Sequence, residues 1–575
     1  MISEPQKVPV VGGGHRLVPW NDPRISFLFI LAAAVLVLMG NLGVSPLWGS
    51  EGRWALICRH MYRSGEVFRP LLGSVFYWDK PLLSYWLVLP FAYINGGGGV
   101  TEAVVRLPSV LSAFLLLLLT FDLARMWFGT RTGLLSTAIL MTSYGFVFWA
   151  RNAQVEMLNA FVILLAIWYF LKHKSDRSHG WLYVFGVIMA IGANMKGLPA
   201  YGVPIFSITL LLIVQKECPS ALVWRHCVAA TALSLAVYFA LPLAATYFTG
   251  TWAPLELVWK ENVVRFFNPF DHKGPIWTYF IRIFDLAAPW SLLLPPALVH
   301  LFPKLRKDKP NATELITLLG GVFVFFTLSG SRRPYYLLPI VPFVSILVAY
   351  LLIEFSRCMV SRPIDSFIKA FGYSLGIILM IPLIVFVAYP DVLPVASGKP
   401  WFGAILAALM SGGIIACSVS RRVEGMVVSM IVVWFIYVFS VIPFFAQQVN
   451  LRTKVAEVKS LGKPCAFSPK IDERVLFYLD QPYKVFSGEA AAYDWAVKRD
   501  GVLIVEDNLL DKKRWRPVLK SRTWRAIVPL LEQHRQDIGD DVLILSDENT
   551  IRAACWYLQR NDVHVLGDSG ELDMA

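Results

Sequence analysis

The sequence predicts a polytopic α-helical membrane protein with a small water-soluble α/β domain at its C-terminal end. Three observations carry that expectation. Hydrophobic residues make up 56% of the 575 positions, charged residues only 16%, and the mean hydropathy is +0.56, whereas a soluble globular chain carries about 25% charge. The charge is also partitioned: the last 126 positions hold 20 acidic and 19 basic residues, and the preceding 449 hold only 20 and 34. Apolar runs close to the ~20 residues that cross a bilayer recur through the first part. Disorder, a fibrous repeat and an ordinary cytosolic enzyme are excluded. Three segments emerge: 1–25, a cytoplasmic N-terminal segment; 26–449, a transmembrane domain; and 450–575, a soluble α/β domain.

Residues before Ser26 are polar and basic (Lys7, Arg16, Arg24) and lack a small-residue cleavage site, so the first apolar run reads as an uncleaved anchor. Candidate spans centre on 26–44, 105–126, 132–149, 157–171, 181–194, 199–214, 227–248, 276–300, 313–329, 335–354, 370–389, 401–419 and 427–446, about 13 transmembrane helices by length. A shorter run at 81–94 ends at Gly96-Gly97-Gly98-Gly99 and is expected to be interfacial or re-entrant. If it does not cross, Arg125/Arg131, Lys172/Lys174/Arg177, Lys216/Arg225, Lys304/Arg306/Lys307/Lys309, Arg357/Arg362 and Arg421/Arg422 share one side. That side is the cytoplasm by the positive-inside rule. Loops 45–104, 150–156, 249–275 and 330–334, with the tail, then face outward. The basic excess is a topology signal, and no nucleic-acid partner is expected.

The polar residues of that outer face cluster near span ends, where ionisable groups mark functional cavities. The first loop carries Trp48-Gly-Ser50-Glu51-Gly-Arg53 and Tyr77-Trp78-Asp79-Lys80-Pro81; the second carries Ala150-Arg151-Asn152-Ala153-Gln154-Val155-Glu156-Met157. A later turn reads Ser331-Arg332-Arg333-Pro334-Tyr335-Tyr336-Leu337-Leu338-Pro339. Cations at such a place stabilise an anionic group where charge builds in a transition state, and Arg53, Lys80, Arg332 and Arg333 are candidates. Arginine offers a planar fork to two phosphate oxygens and lysine a point charge. A carboxylate that takes a proton from an attacking hydroxyl contributes about 10²–10⁴ in rate. Glu51 is the first candidate for that role and Glu156 the second.

The order Trp…Glu-x-Arg, Tyr-x-Asp-Lys-Pro, Ala-Arg…Glu-Met and Ser-x-x-Pro-x-Tyr-x-Leu-Pro resembles the aminoarabinose-transferase-like membrane glycosyltransferases. These have a GT-C fold and are related to the dolichyl-phosphate-mannose protein mannosyltransferases. The resemblance covers roughly residues 20–350. It implies a polyprenyl (undecaprenyl) phosphate sugar as donor and a cell-envelope acceptor such as lipid A, lipopolysaccharide, another glycan or a protein. It also implies a bacterial inner-membrane location, with the site and the 450–575 domain on the periplasmic side and membrane lipids as surroundings. Tyr336 and Lys196 (in Asn194-Met-Lys196-Gly197) match residues near the donor phosphate; the alternatives are an interfacial tyrosine and a lysine that snorkels to the surface. Asp79 and His272 match residues linked to a divalent metal. Two ligands fall short of the four of a closed zinc site, and the alternative has Asp79 paired with a nearby base.

One departure is informative. The family carries an Asp-Glu pair where this chain has Ser50-Glu51. Either Glu51 takes over the catalytic role, or the acceptor is a phosphate whose attacking oxygen is already ionised. Two other readings stay open: a transporter or flippase, and a non-catalytic polyprenyl-phosphate-binding relative. Arg59, His60 and Arg63 read as a solvated helix face or a contact for anionic headgroups. In the tail, strand-like runs at 485–486, 501–505, 542–545 and 563–566 surround a helical stretch at 490–497, which suggests an α/β domain. Cys465 and Cys555 either pair in an oxidising compartment or remain buried thiols.

Overall fold

The computed structural model describes residues 22–73, 75–260, 274–305, 310–388, 400–448, 451–468, 472–485, 495, 498–499, 502–505 and 543–544. All thirteen apolar runs fall on helices or bent helix pairs. Among the described residues, seven helices are long and apolar enough to cross a membrane, and two bent pairs, Thr130–Met141 with Tyr144–Ala150 (65°) and Thr278–Leu286 with Trp290–Leu305 (116°), raise the number to nine. Pro23–Met39, Gly180–Met195, Pro199–Gln215 and Ala408–Val419 are shorter apolar helices. Length and composition thus support seven to nine crossings among the described residues, fewer than the thirteen expected, and the remaining runs fall on helices shorter than that test requires.

The ends of these helices follow local chemistry. Asp22 caps Pro23–Met39 by accepting from the Arg24 N–H at 2.8 Å, and Thr101 caps Glu102–Phe128 by accepting from the Val104 N–H at 3.4 Å. Such side chains satisfy amides that the first helical turn leaves free. The segment Pro334–Ser356 has 89% of its apolar window buried, against 17% for Trp224–Thr249. The first is the central strut of the bundle; the second presents most of its apolar surface outward, as a lipid-facing helix does.

The first long loop folds into three pieces: a helix Glu51–Ser64, a two-residue-strand hairpin (β1 Leu71–Leu72, β2 Val75–Phe76), and two short helices, Leu83–Trp86 and Leu89–Ile94. In the first piece, Trp54, Ile57, Cys58 and Met61 are buried, the i, i+3, i+4, i+7 spacing of one helical face. That face packs on the short run, with the Trp54 and Tyr85 rings 5.2 Å apart.

The opposite end of the bundle is tied by ion pairs between its basic residues and acids that are buried (Glu314, Glu354) or half-buried (Asp365, Glu424). Lys174 reaches Glu314 at 2.6 Å, Lys304 reaches Glu354 at 2.6 Å, Arg421 reaches Asp365 at 2.6 Å, and Arg131 pairs with Glu424.

The tail contributes a helix Leu451–Ser460, then β3 Cys465–Ser468, a helix Glu473–Leu479, β4 Tyr483–Val485, β5 Val502–Val505 and β6 Leu543–Ile544. These last four strands form a parallel sheet in the order β4-β3-β5-β6, with Cys465 opposite both Tyr483 and Val502. The sequence pattern missed β3, whose four residues lie between Pro464 and Pro469. The expected runs 490–497 (apart from Trp495) and 563–566, and Cys555, lie outside the described residues. Arg59 and Arg63 both pair with Asp480 of the tail, at 3.4 and 2.8 Å, with Arg63 remaining exposed on the helix face.

Candidate active site

A cavity of about 680 Å³ opens where the first-loop pieces meet the helix ends at 154–156, 194–202, 238–258 and 325–336. Its wall includes Arg53, Asp79, Lys80, Glu156, Lys196, Arg333 and Tyr336, so residues from four separate stretches converge on one space. Each is placed by its element. Arg53 lies in the first turn of Glu51–Ser64; Asp79 and Lys80 follow the hairpin; Glu156 opens the helix Glu156–His173; Lys196 caps Gly180–Met195.

The ionic contacts divide these residues into groups. The Lys196 ammonium donates to the Glu156 carboxylate and lies 4.4 Å from the Tyr336 ring centre, a cation–π distance. Lys80 Nζ donates to Asp79 Oδ2 at 2.8 Å. Arg53 Nη1 donates to the Tyr77 hydroxyl, and Arg53 Nε sits 3.2 Å from Glu473 Oε1. Burial alone would lower the Arg53 pKa, but the Tyr77 oxygen and the Glu473 carboxylate outweigh it and hold the guanidinium above its ordinary value. Arg333 Nη1 donates to the Tyr335 hydroxyl at 2.5 Å.

Two expected residues are placed elsewhere. Glu51 is fully buried behind the cavity wall, where Ser50 takes its place in the lining. Its carboxylate accepts from Arg106 Nε (2.8 Å) and Nη2 (2.6 Å) and from the backbone N–H groups of Trp48 (2.8 Å) and Ala153 (2.7 Å). A carboxylate so engaged is a structural anion, and the reading of Glu51 as a proton acceptor gives way to that role. Arg332 turns from the cavity to donate to the backbone carbonyls of Gly274 and Thr327. Arg333, its neighbour in extended backbone (φ −96°, ψ 142°), takes the cavity side, since consecutive extended residues point oppositely.

His272 lies outside the described residues, and among those that are described no group of three or more His, Cys, Asp or Glu could hold a metal. Asp79 accepts from Lys80 Nζ at 2.8 Å, the pairing with a nearby base that the sequence reading left open.

Sequence reasoning missed Arg106, Tyr77, Tyr335 and Glu473. A charge four residues into an apolar span is itself a signal, so Arg106 was within reach. Nothing local points to Glu473, which meets Arg53 from the far end of the chain.

The described residues thus form a helical bundle with helices of membrane length and a charged cavity beside the first-loop helix. Known proteins share this arrangement. The family described as dolichyl-phosphate-mannose-protein mannosyltransferase matches residues 79–242. The chain is similar to undecaprenyl phosphate-alpha-4-amino-4-deoxy-L-arabinose arabinosyl transferases: that of Serratia proteamaculans is 28% identical over 334 residues, 56% of this chain and 58% of the relative. The Erwinia tasmaniensis protein is 29% identical over 341 residues, 57% and 59% of the two chains. The chain thus spans somewhat over half the length of the curated relatives it matches. The crystal structure of ArnT from Cupriavidus metallidurans bound to undecaprenyl phosphate superposes with a TM-score of 0.63 at 18% identity, covering 84% of this chain and 90% of that one. The apo state of the same protein gives 0.62. The resemblance drawn from four short motifs is therefore to aminoarabinose transferases, in a shared GT-C fold.

Proposed function

We propose that the protein transfers a sugar from a polyprenyl-phosphate donor to a phosphate-bearing envelope acceptor at the periplasmic face of a bacterial inner membrane. The observation that carries the reading is the charge of one cavity: Arg53, Lys80, Lys196 and Arg333 against Asp79 and Glu156 in its wall. Such an excess suits two anions, the donor phosphate and an anionic acceptor. Relatives named for an undecaprenyl-phosphate-linked sugar support the donor class.

The pairing of the carboxylates supports a phosphate as the acceptor. Glu156 is held by Lys196, Asp79 by Lys80 and Glu51 by Arg106. With Ser50 where the family has an acid, none of these three is set up to remove a proton. A phosphate oxygen needs no such help. It attacks the anomeric carbon as the carbon–oxygen bond to the polyprenyl phosphate breaks, and the electron pair leaves on that phosphate beside Arg53 and Lys80. Preorganised cations at the point of developing charge are worth most where water is excluded.

Mass spectrometry of lipid A, glycans and envelope proteins from a deletion strain and its parent tests this. The expected result is loss of one sugar from a phosphorylated acceptor, restored by the wild-type gene. Unchanged envelope composition would favour the non-catalytic binding relative, which the serine at position 50 keeps in play.

A further inference from the structure

We infer that the tail completes the donor site, with Glu473 as a positioning residue for Arg53. The inference rests on the reading of the cavity as a polyprenyl-phosphate site and adds to it a residue from the opposite end of the chain. The Arg53 guanidinium is held on two edges, at Nη1 by a hydrogen bond to the Tyr77 hydroxyl and at Nε by an ion pair with Glu473 Oε1 at 3.2 Å that lacks hydrogen-bond alignment. Among the described residues nothing takes Nη2, and Arg53 lines the cavity. A long side chain fixed on two edges presents the third in one orientation, which removes its ordering cost from ligand binding.

The approach that brings Glu473 to Arg53 is built into both partners. Asp472 caps the tail helix by accepting from the Arg474 N–H at 2.8 Å. The first turn of that helix presses on Gly52, where a Cβ would stand 2.7 Å from the Arg474 nitrogen and 2.8 Å from the Glu473 carbonyl carbon. Only glycine allows that contact. Further along, the Tyr478 hydroxyl accepts from the Leu47 N–H at 2.8 Å, Arg59 Nη1 donates to the Phe477 carbonyl at 2.7 Å, and Arg63 makes two 2.8 Å bonds to Asp480. Docking is thus secured by several contacts away from the cavity, while a carboxylate is aimed at Arg53, which lines it.

The test uses the full-length protein and measures undecaprenyl phosphate affinity directly, with donor and acceptor KM in the transfer assay. Glu473→Gln should weaken undecaprenyl phosphate binding and raise donor KM by about 3- to 10-fold, leaving acceptor KM and the unfolding temperature unchanged; Glu473→Asp should recover part of the loss. Gly52→Ala improves the propensity of its own helix yet should reproduce the weakening by lifting the tail helix. In an Arg53→Ala background, Glu473→Gln should add nothing. Additive effects of the two substitutions, or binding by Glu473→Gln as tight as or tighter than wild type, would overturn the inference alone. Absence of undecaprenyl phosphate binding by the wild type would overturn the donor-site reading and this inference with it.

Discussion

Glu51 and Glu156 invite comparison. Each opens a helix at the same end of the bundle, each is buried, and each is paired with a base. Glu51 is surrounded on every side: it accepts from both edges of Arg106, whose remaining N–H groups go to the carbonyls of Leu42, Ser45 and Pro46 at 2.7–3.1 Å. Glu156 instead lies in the wall of a cavity, with Lys196 and then Tyr336 beside it. The same residue type thus staples the fold in one place and lines the cavity in the other. What separates them is whether the protein itself supplies every hydrogen-bond partner.

That contrast can be broken by substitution. Arg106→Ala should have the largest effect on the fold, because it leaves a buried carboxylate without its countercharge; a loss of about 3–5 kcal/mol is expected, read as lower yield and a lower unfolding temperature in detergent. Lys80→Ala should do the reverse. Transfer should fall by about 10²–10³-fold in kcat/KM with the unfolding temperature unchanged, whereas Arg63→Ala, which removes an exposed pair to Asp480, should change transfer by less than about twofold, because such surface pairs contribute little. Equal effects of the two would place Lys80 outside the site.

A smaller effect concerns pH at the tail. The Arg63 hydrogen bonds, with Arg59 adding its charge and burial opposing, hold Asp480 below its ordinary value of 3.8. Burial alone would raise Asp472, but Arg474 outweighs it and holds that group below 3.8 as well. Carboxylates depressed in the folded state contribute stability that is complete above the ordinary value and is lost as the pH falls through the folded one. Tail docking should therefore be constant from pH 7 to 5 and weaken only below about pH 4, measured as the distance between fluorophores on the first-loop helix and the tail. Release beginning near pH 6 would implicate a histidine instead.

Much of this was legible in the sequence, for identifiable reasons. Apolar runs of membrane length report their helices directly; Arg53, Lys80, Glu156 and Arg333 could be singled out because charge at span ends is costly without a task, and Lys196 and Tyr336 through the family resemblance. The orientation of Glu51 could not be read, since a carboxylate at a helix start looks alike whether it faces a cavity or an arginine 55 positions away. Arg332 and Arg333 are adjacent, and only the extended backbone decides which one reaches the cavity. The docking of the tail joins residues more than 400 positions apart, and no local pattern encodes such a contact.

The central claim is that the cavity basic groups hold a polyprenyl phosphate. Native mass spectrometry of the purified protein with undecaprenyl phosphate tests it most directly. One lipid per chain is expected on the wild type and on Arg63→Ala, with occupancy sharply reduced by Lys80→Ala and Arg53→Ala. Equal occupancy across all four proteins would contradict the account.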